Sequence, residues 1–178
     1  AIDHAAAVTQ FQDAARSGVT GAMLLLGQCA CFGLGMMREP KSGMAWYRRA
    51  AENGSRDAEF ELGECFAYGL EGDRDLVEAL RWWQAAASRG HVRAHLKIAH
   101  AYRWGDGVAE DKTLAATWYR RAAELGDASS WVWLGECHER GDGCIANPQV
   151  ARDFYSRSAQ AGDAHGKAEY GRCLLLGV

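Results

Sequence analysis

Proline is scarce in this sequence, and long apolar runs are absent from it. Only two of the 178 residues are proline, against 21 glycines. No apolar stretch approaches the roughly 18 residues of a membrane-spanning helix, and no charged-then-apolar leader opens the chain. We therefore expect no direct membrane insertion. A leader removed before residue 1 would still allow a periplasmic or secreted protein.

The sequence also lacks an excess of positive charge. Twenty Lys and Arg residues are interspersed with 23 Asp and Glu residues, for a net charge of −3. A nucleic-acid-binding surface needs a basic patch, so we expect no nucleic-acid partner. With 48% hydrophobic residues, the chain is long enough to bury a core.

What the sequence does contain is a repeat of 36 residues. AWYRRAAENG at 45–54 returns as TWYRRAAELG at 117–126, and RWWQAAASRG lies midway, at 81–90. Residues that share a position in this period form a column. One column is glycine in every period: Gly18, Gly54, Gly90, Gly126 and Gly162. An internal repeat of this length is typical of stacked helical repeats.

Each period predicts two helices. The first has apolar residues at helical spacing, and a glycine such as Gly69 ends it, because glycine accepts the left-handed conformation. Gly63 lacks a Cβ and would let a neighbouring helix approach closely. The second helix follows a column of mostly helix-capping residues. The two prolines, Pro40 and Pro148, occupy the next position, the first of the helix, in two of the four repeats. The capping column is Glu39, Asp75, Asp111 and Asn147.

The predicted fold is all-α, a right-handed superhelical α-α solenoid of 36-residue helix–loop–helix repeats. We expect a single repeat domain over 1–178. It comprises a lone second-type helix at 1–18, repeats 1 to 4 at 19–54, 55–90, 91–126 and 127–162, and a lone first-type helix at 163–178. The stretch Leu174-Leu175-Leu176-Gly177-Val178 is apolar where a solenoid usually has a polar cap. We therefore expect either a longer parent protein or self-association through this end.

Repeat 3 resembles the Sel1-like repeat family, a relative of the tetratricopeptide repeat. The resemblance extends over nearly the whole chain, with departures such as Ala30 and His138 in the tyrosine column. It implies an adaptor that holds partner proteins, and some bacterial members look like immunity or host-interaction proteins. The matching residues are Tyr102, Gly105, Gly107, Val108, Asp111, Ala115, Trp118, Tyr119, Ala122, Ala123 and Gly126.

Six cysteines and three clustered histidines raise the question of disulfide or metal chemistry. Residues of one column lie on successive stacked helices, roughly 10 Å apart. This distance is too long for a disulfide. The column of Cys29, Cys65, Cys137 and Cys173 therefore predicts small buried packing residues. A disulfide between Cys137 and Cys144 across one loop stays open, while free thiols favour a reducing, cytoplasmic compartment.

No residue type completes a metal-ligand set around His91, His95 and His100. The sequence also contains no arrangement of residues that indicates a nucleophile and its base. We therefore expect no metal, no cofactor and no catalytic residues.

The resemblance to tetratricopeptide repeats implies a partner-binding groove on the first helices. Phe32, Tyr68 and Trp104 would form an aromatic row there, although packing on the loop of the next repeat is an equal alternative. We expect the groove across repeats 2 and 3 to matter most, whereas Trp82 and Trp118 should fill the core. The predicted partner-binding residues are Phe32, Phe60, Glu64, Tyr68, Arg93, His100, Arg103, Trp104, Glu136 and Arg140.

These observations favour a non-enzymatic scaffold that binds a protein or peptide in its concave groove. One alternative is an immunity-type or host-interaction protein that inhibits a specific partner. Another is an enzyme acting on peptidoglycan or β-lactams, as the resemblance to a cysteine-rich branch of the family implies. A third is a self-assembling structural element.

Overall fold

A computed structural model describes residues 3–177, and in this range the chain forms ten α-helices and no β-strand. The predicted all-α composition agrees with this result. Each helix has 13 residues. The helices are α1 (His4–Arg16), α2 (Thr20–Phe32), α3 (Pro40–Glu52), α4 (Arg56–Tyr68), α5 (Leu76–Ser88), α6 (Val92–Trp104), α7 (Lys112–Glu124), α8 (Ala128–Arg140), α9 (Pro148–Gln160) and α10 (Ala164–Leu176).

Most of the predicted capping residues do cap the helix ends. The side chains of Asp75, Asp111 and Asn147 accept hydrogen bonds from backbone N–H groups in the first turn of the helix that follows. Glu39 lies in the same column but makes no such bond, and Pro40 occupies the first helical position there. At the other end, Gly69 caps α4 in the left-handed conformation, with φ of 66°.

The chain forms two compact units, 1–91 and 92–178, of five helices each. In unit 1 (1–91), the rings of Tyr47 on α3 and Trp83 on α5 lie against Gly27 on α2 and Gly63 on α4. A Cβ at either glycine would overlap the ring, so glycine permits the close helix contact that the sequence predicts at Gly63. In unit 2 (92–178), Tyr155 on α9 lies in the same way against Gly135 on α8.

The two aromatic columns differ in burial, and the deeply buried column is not the predicted one. The tryptophans of the first column, including Trp82 and Trp118, are only half-buried. The residues that follow them are the deeply buried ones: Tyr47, Trp83, Tyr119 and Tyr155. Neighbouring residues on a helix point about 100° apart, so only one of each pair can enter the contact between two helices. The prediction that Trp82 and Trp118 fill the core is therefore wrong in its choice of column.

The cysteine column packs as predicted. Cys29, Cys65, Cys137 and Cys173 are all buried, and each carries a free thiol. Cys144 is half-buried and is also a free thiol, so Cys137 and Cys144 are not bonded to each other in this structure. Over residues 3–177, no helix is long and apolar enough to cross a bilayer.

Candidate interaction surface

Unit 1 places two of its four predicted binding residues on the surface. Phe32 is the last residue of α2 and is 59% exposed, and Tyr68 is the last residue of α4 and is 68% exposed. Glu64 is half-buried on α4. The exposure of Phe32 and Tyr68 makes them available to a partner.

Phe60 differs from the prediction. Its side chain is only 2% exposed, and its ring stacks on the imidazole of His91, with ring centroids 4.3 Å apart and planes 19° apart. The groove position taken over from tetratricopeptide repeats is thus filled by a packing contact. Phe60 is a core residue and presents no surface for a partner to bind.

Arg103, predicted to be an exposed anchor, is also buried. Only 7% of it is exposed, and its guanidinium Nη2 lies 3.2 Å from the Glu136 carboxylate and 3.7 Å from that of Asp142. The same guanidinium lies over the rings of Trp104 and Trp133, 5.4 and 5.2 Å from their centroids. Arg103 therefore holds α6 to α8 and to the loop after it, and supports the surface instead of forming it.

His100 belongs to the same cluster. Its imidazole lies 4.8 Å from the Trp104 ring, 4.9 Å from the Trp133 ring and 5.5 Å from the Tyr119 ring. Burial, followed by the positive charges of Lys97 and Arg103, lowers the pKa of His100 from 6.5 to about 4. The ring is consequently neutral at physiological pH.

Trp104 is the exposed member of this cluster. It is the last residue of α6 and is 49% exposed, although Trp133 packs edge-on against it at 5.8 Å. Trp104 packs on a helix of the next repeat and still offers one face to solvent, so the packing alternative holds in part, and the role of Trp104 in binding stays a prediction. We call Trp104 and the side chains that support it, His100, Arg103 and Trp133, the Trp104 patch.

A charged cavity of about 580 Å³ lies on α8, α9 and α10 of unit 2. It includes Glu136, which is half-buried, and Arg140, which is exposed, so two predicted binding residues meet there. Arg93, the remaining predicted residue, is exposed on α6. The cavity is lined by Glu136, Glu139, Arg140, Tyr155, His165, Glu169 and Arg172.

Acids and bases in this cavity are paired with each other. Arg172 lies 2.7 Å from Glu139 and 2.8 Å from Glu169, and the Tyr155 hydroxyl donates to Glu139 at 2.8 Å. Burial acts to raise the pKa of Glu139, but the hydrogen bonds from Arg172 and Tyr155 outweigh it and hold the pKa below its ordinary value. The cavity therefore contains charges of both signs that are paired with one another.

The cavity residues of α9 and α10, and also Trp133 and Asp142, are not among the residues predicted from the sequence. The spacing of oppositely charged residues in the sequence indicates some of them. Arg103 and Glu136 are 33 residues apart, and so are Glu139 and Arg172. Opposite charges at this spacing join the first helices of successive repeats, so a search for charge pairs 33 apart would have placed Glu139 and Arg172 together.

In the described part of the chain, no group of three or more His, Cys, Asp or Glu side chains could hold a metal ion. His91 lies against Phe60 in unit 1, and His100 lies in the Trp104 patch. Each of these two histidines therefore has a packing role.

The sequence profile of the Sel1 repeat family matches four segments of the chain, 20–55, 56–91, 92–127 and 132–163. The first three segments begin one residue after the predicted repeats. No curated protein sequence matches the chain. The family match covers most of the residues and follows the 36-residue period.

Solved structures share the fold. A Sel1 repeat protein from Oxalobacter formigenes is 31% identical with a TM-score of 0.81, over 86% of this chain and 63% of that one. A protective antigen of uropathogenic Escherichia coli with an SLR fold is 29% identical with a TM-score of 0.90, over 98% of this chain and 38% of that one. An immunity protein from Pseudomonas aeruginosa is 20% identical with a TM-score of 0.61, over 93% of this chain and 61% of that one, which shows a common fold alone.

The chain spans less than two thirds of the length of each of these three proteins. Their folds and the family match confirm the predicted fold class, an all-α solenoid of 36-residue helix–loop–helix repeats.

Proposed function

The chain belongs to the Sel1 repeat family, and we propose that it is a non-enzymatic scaffold that binds a protein or peptide partner through the Trp104 patch and the adjoining charged cavity. Repeats of this family are protein-interaction scaffolds in general. The proposal for this chain is the more specific statement of which residues make the contact.

The exposed face of Trp104 is the observation that carries the proposal. A tryptophan that keeps 49% of its surface in solvent exposes apolar area, and Trp is enriched at binding hot spots. Arg103 and Trp133 already fix the position of its ring. A partner would therefore meet an ordered side chain, and little conformational entropy would be lost on binding.

The charged cavity supports binding more than catalysis. A general acid or base needs a pKa near the working pH, whereas hydrogen bonds from Arg172 and Tyr155 hold the pKa of Glu139 below its ordinary value. Pairing of this kind favours the ionised carboxylate. Charges of both signs lie side by side in the cavity. They would fix the orientation of a partner that carries the complementary charge pattern.

Phe32 and Tyr68 are proposed as separate contacts of unit 1, because both are exposed aromatic side chains at the ends of first helices. Arg93 and Arg140, both exposed, are proposed to contribute to the charge pattern. Phe60 and Arg103 are left out as direct contacts because they are buried.

An inhibitor of one partner, as an immunity protein is, would use the same surface. The scaffold and the inhibitor differ in what binding does: an inhibited partner loses its activity when the chain is added, and a partner held by a scaffold keeps it. Assay of the partner with and without the chain separates the two functions.

The proposal is tested with a library of random peptides displayed on phage and selected on the immobilised chain. Selected peptides are then titrated into wild-type and variant chains by calorimetry. Trp104→Ala should weaken binding by more than about tenfold, the loss expected for a hot-spot side chain.

Ile145→Ala is the matched control, since Ile145 is an exposed apolar residue of unit 2 in the loop between α8 and α9. Its removal should change affinity by no more than about twofold. Peptides that bind Trp104→Ala as tightly as the wild-type chain would refute the assignment of this surface.

A further inference from the structure

Two of the six cysteines lie next to each other in the core of unit 1. Cys31 on α2 is completely buried, Cys65 on α4 is 4% exposed, and both belong to one hydrophobic cluster. A side-chain hydrogen bond joins the two thiols. The sulfur of Cys31 also lies 3.9 Å from the carbonyl oxygen of Pro40. The first helices of repeats 1 and 2 are therefore in contact through a pair of thiols.

The register of the repeat explains why these two cysteines meet. Cys31 and Cys65 are 34 residues apart, so they do not share a column, and the distance of roughly 10 Å within a column does not apply to them. In unit 2, the same spacing of 34 brings Nη1 of Arg103 on α6 to 3.8 Å from the sulfur of Cys137 on α8. Side chains at this spacing therefore touch between successive first helices.

No other two cysteines of the sequence have this spacing. The residue 34 positions before Cys137 is Arg103, and the residue 34 positions before Cys173 is Glu139. The partner positions of these two cysteines are charged and cannot form a disulfide. The pair of thiols is therefore a specific feature of repeats 1 and 2.

A cavity of about 240 Å³ lies beside the pair. Cys65 lines this cavity, together with Met44 on α3 and the loop 69–73. Met44 follows Gly43, and a Cβ at Gly43 would overlap the sulfur of Cys31. A water molecule occupies about 30 Å³ of liquid, so the cavity has room for an oxidant as small as hydrogen peroxide.

We propose that Cys31 and Cys65 are a redox-sensitive dithiol, which hydrogen peroxide converts to a disulfide between α2 and α4. One sulfur, as the thiolate, attacks the peroxide, whose O–O bond breaks to leave a sulfenic acid and a hydroxide. The sulfur of the other cysteine then attacks the sulfenic sulfur. An S–S bond forms as the S–O bond breaks, and a second hydroxide leaves. The two thiols lose two electrons and two protons, and the peroxide becomes two water molecules.

The hydrogen bond between the thiols supports the first step of this reaction. It lowers the pKa of the Cys31 thiol, and this effect outweighs burial, which raises the pKa. The same hydrogen bond raises the pKa of Cys65, because two neighbouring sulfurs do not ionise independently. The pair therefore loses its first proton more readily than its second, and the thiolate is the reactive form of cysteine.

Peptide mass spectrometry after oxidation tests the proposal. The full chain is reduced, exposed to hydrogen peroxide, alkylated under denaturing conditions and digested with trypsin. The peptide 17–38, which contains Cys31, should be joined to the peptide 57–74, which contains Cys65, and dithiothreitol should restore both thiols. A chain in which the two cysteines keep their thiols, or oxidise without joining, would overturn the proposal.

Alanine variants identify the cysteines that react. The peptide 17–38 also contains Cys29, which is buried on the same helix as Cys31. Cys31→Ala should abolish the cross-link, whereas Cys29→Ala should leave it complete. Both substitutions suit the fold, because Ala67 and Ala101 occupy the corresponding columns. A cross-link that survives Cys31→Ala would contradict the assignment.

Urea unfolding of the oxidised and reduced chains tests whether the bond forms within the native fold. A disulfide restricts the unfolded chain, so the oxidised chain should unfold at a higher urea concentration than the reduced chain. Peroxide should not change the midpoint of Cys31→Ala in this way. A lower midpoint for the oxidised wild-type chain would show that the sulfurs must leave their native positions to join, and the proposal would be wrong.

Discussion

The guanidinium of Arg103 on α6 lies 3.2 Å from the carboxylate of Glu136 on α8, and both side chains are largely buried. This ion pair joins the first helices of two successive repeats. It also orders the ring of Trp104, over which the guanidinium lies. A residue that the sequence suggests as a partner contact therefore serves to position the neighbouring aromatic side chain.

Arg103→Ala should reduce stability as well as binding. Removal of the guanidinium leaves the half-buried Glu136 without its nearest partner, and breaking a buried ion pair costs about 3 kcal/mol. Urea unfolding measures the loss. Arg140→Ala is the control, because Arg140 is mostly exposed and lies 3.8 Å from the same carboxylate; it should cost less than about 1 kcal/mol. Equal losses for the two variants would contradict this account of Arg103.

Replacement of the two adjacent aromatics of α7 should have unequal effects. Tyr119 is completely buried, whereas Trp118 is half-buried. Tyr119→Ala should lower the free energy of unfolding by about 3–5 kcal/mol, and Trp118→Ala by clearly less, although tryptophan is the larger side chain. Thermal or urea unfolding of both variants checks the order, and the reverse order would show that the buried column is misassigned.

Stability should fall in acid because of His100. The folded-state pKa of about 4 lies below the ordinary value of 6.5, so between these two pH values the unfolded chain binds a proton that the folded chain does not. This contribution to stability, roughly 3 kcal/mol, is complete above pH 6.5 and is lost as the pH falls to about 4.

His100→Phe tests this pH dependence, because it keeps an aromatic ring in the cluster and removes the titrating group. The difference in unfolding free energy between the wild-type chain and His100→Phe should change between pH 7 and pH 4.5. A constant difference would assign the acid sensitivity to other groups.

Two glycine-to-alanine substitutions in one column should change the free energy of unfolding in opposite directions. The Cβ of Gly135→Ala would overlap the ring of Tyr155, and overpacking costs about 1–3 kcal/mol. Gly171→Ala meets nothing within 4 Å, and alanine is better than glycine in a helix by roughly 0.5–1 kcal/mol. Unfolding of dilute protein should show one variant less stable and the other more stable than the wild-type chain.

The period of 36 residues made the fold readable from sequence. Local signals such as Asp75, Pro148 and Gly69 set helix ends by short-range hydrogen bonds and backbone preference, and they act where they were expected. The cysteine column was placed correctly for the same reason, because its burial follows from the helix phase that the repeat defines.

The candidate site was harder to predict because exposure depends on residues in another repeat. Phe60 is buried because His91 stacks on it, and Arg103 is buried because Trp133 and Glu136 lie 30 and 33 residues further along. A position in the repeat gives the direction of a side chain but not the identity of what covers it. Trp104 is partly exposed, as expected of a surface residue, and its role in binding stays a prediction.

Fluorine NMR of the chain labelled with 5-fluorotryptophan tests the central claim, that a partner binds at the Trp104 patch, most directly. The seven tryptophans give separate resonances that single substitutions assign. On saturation with a selected peptide, the Trp104 resonance should shift most, the Trp133 resonance should follow because it packs against Trp104, and the Trp83 resonance should stay in place. An unchanged Trp104 resonance in the saturated complex would contradict the claim.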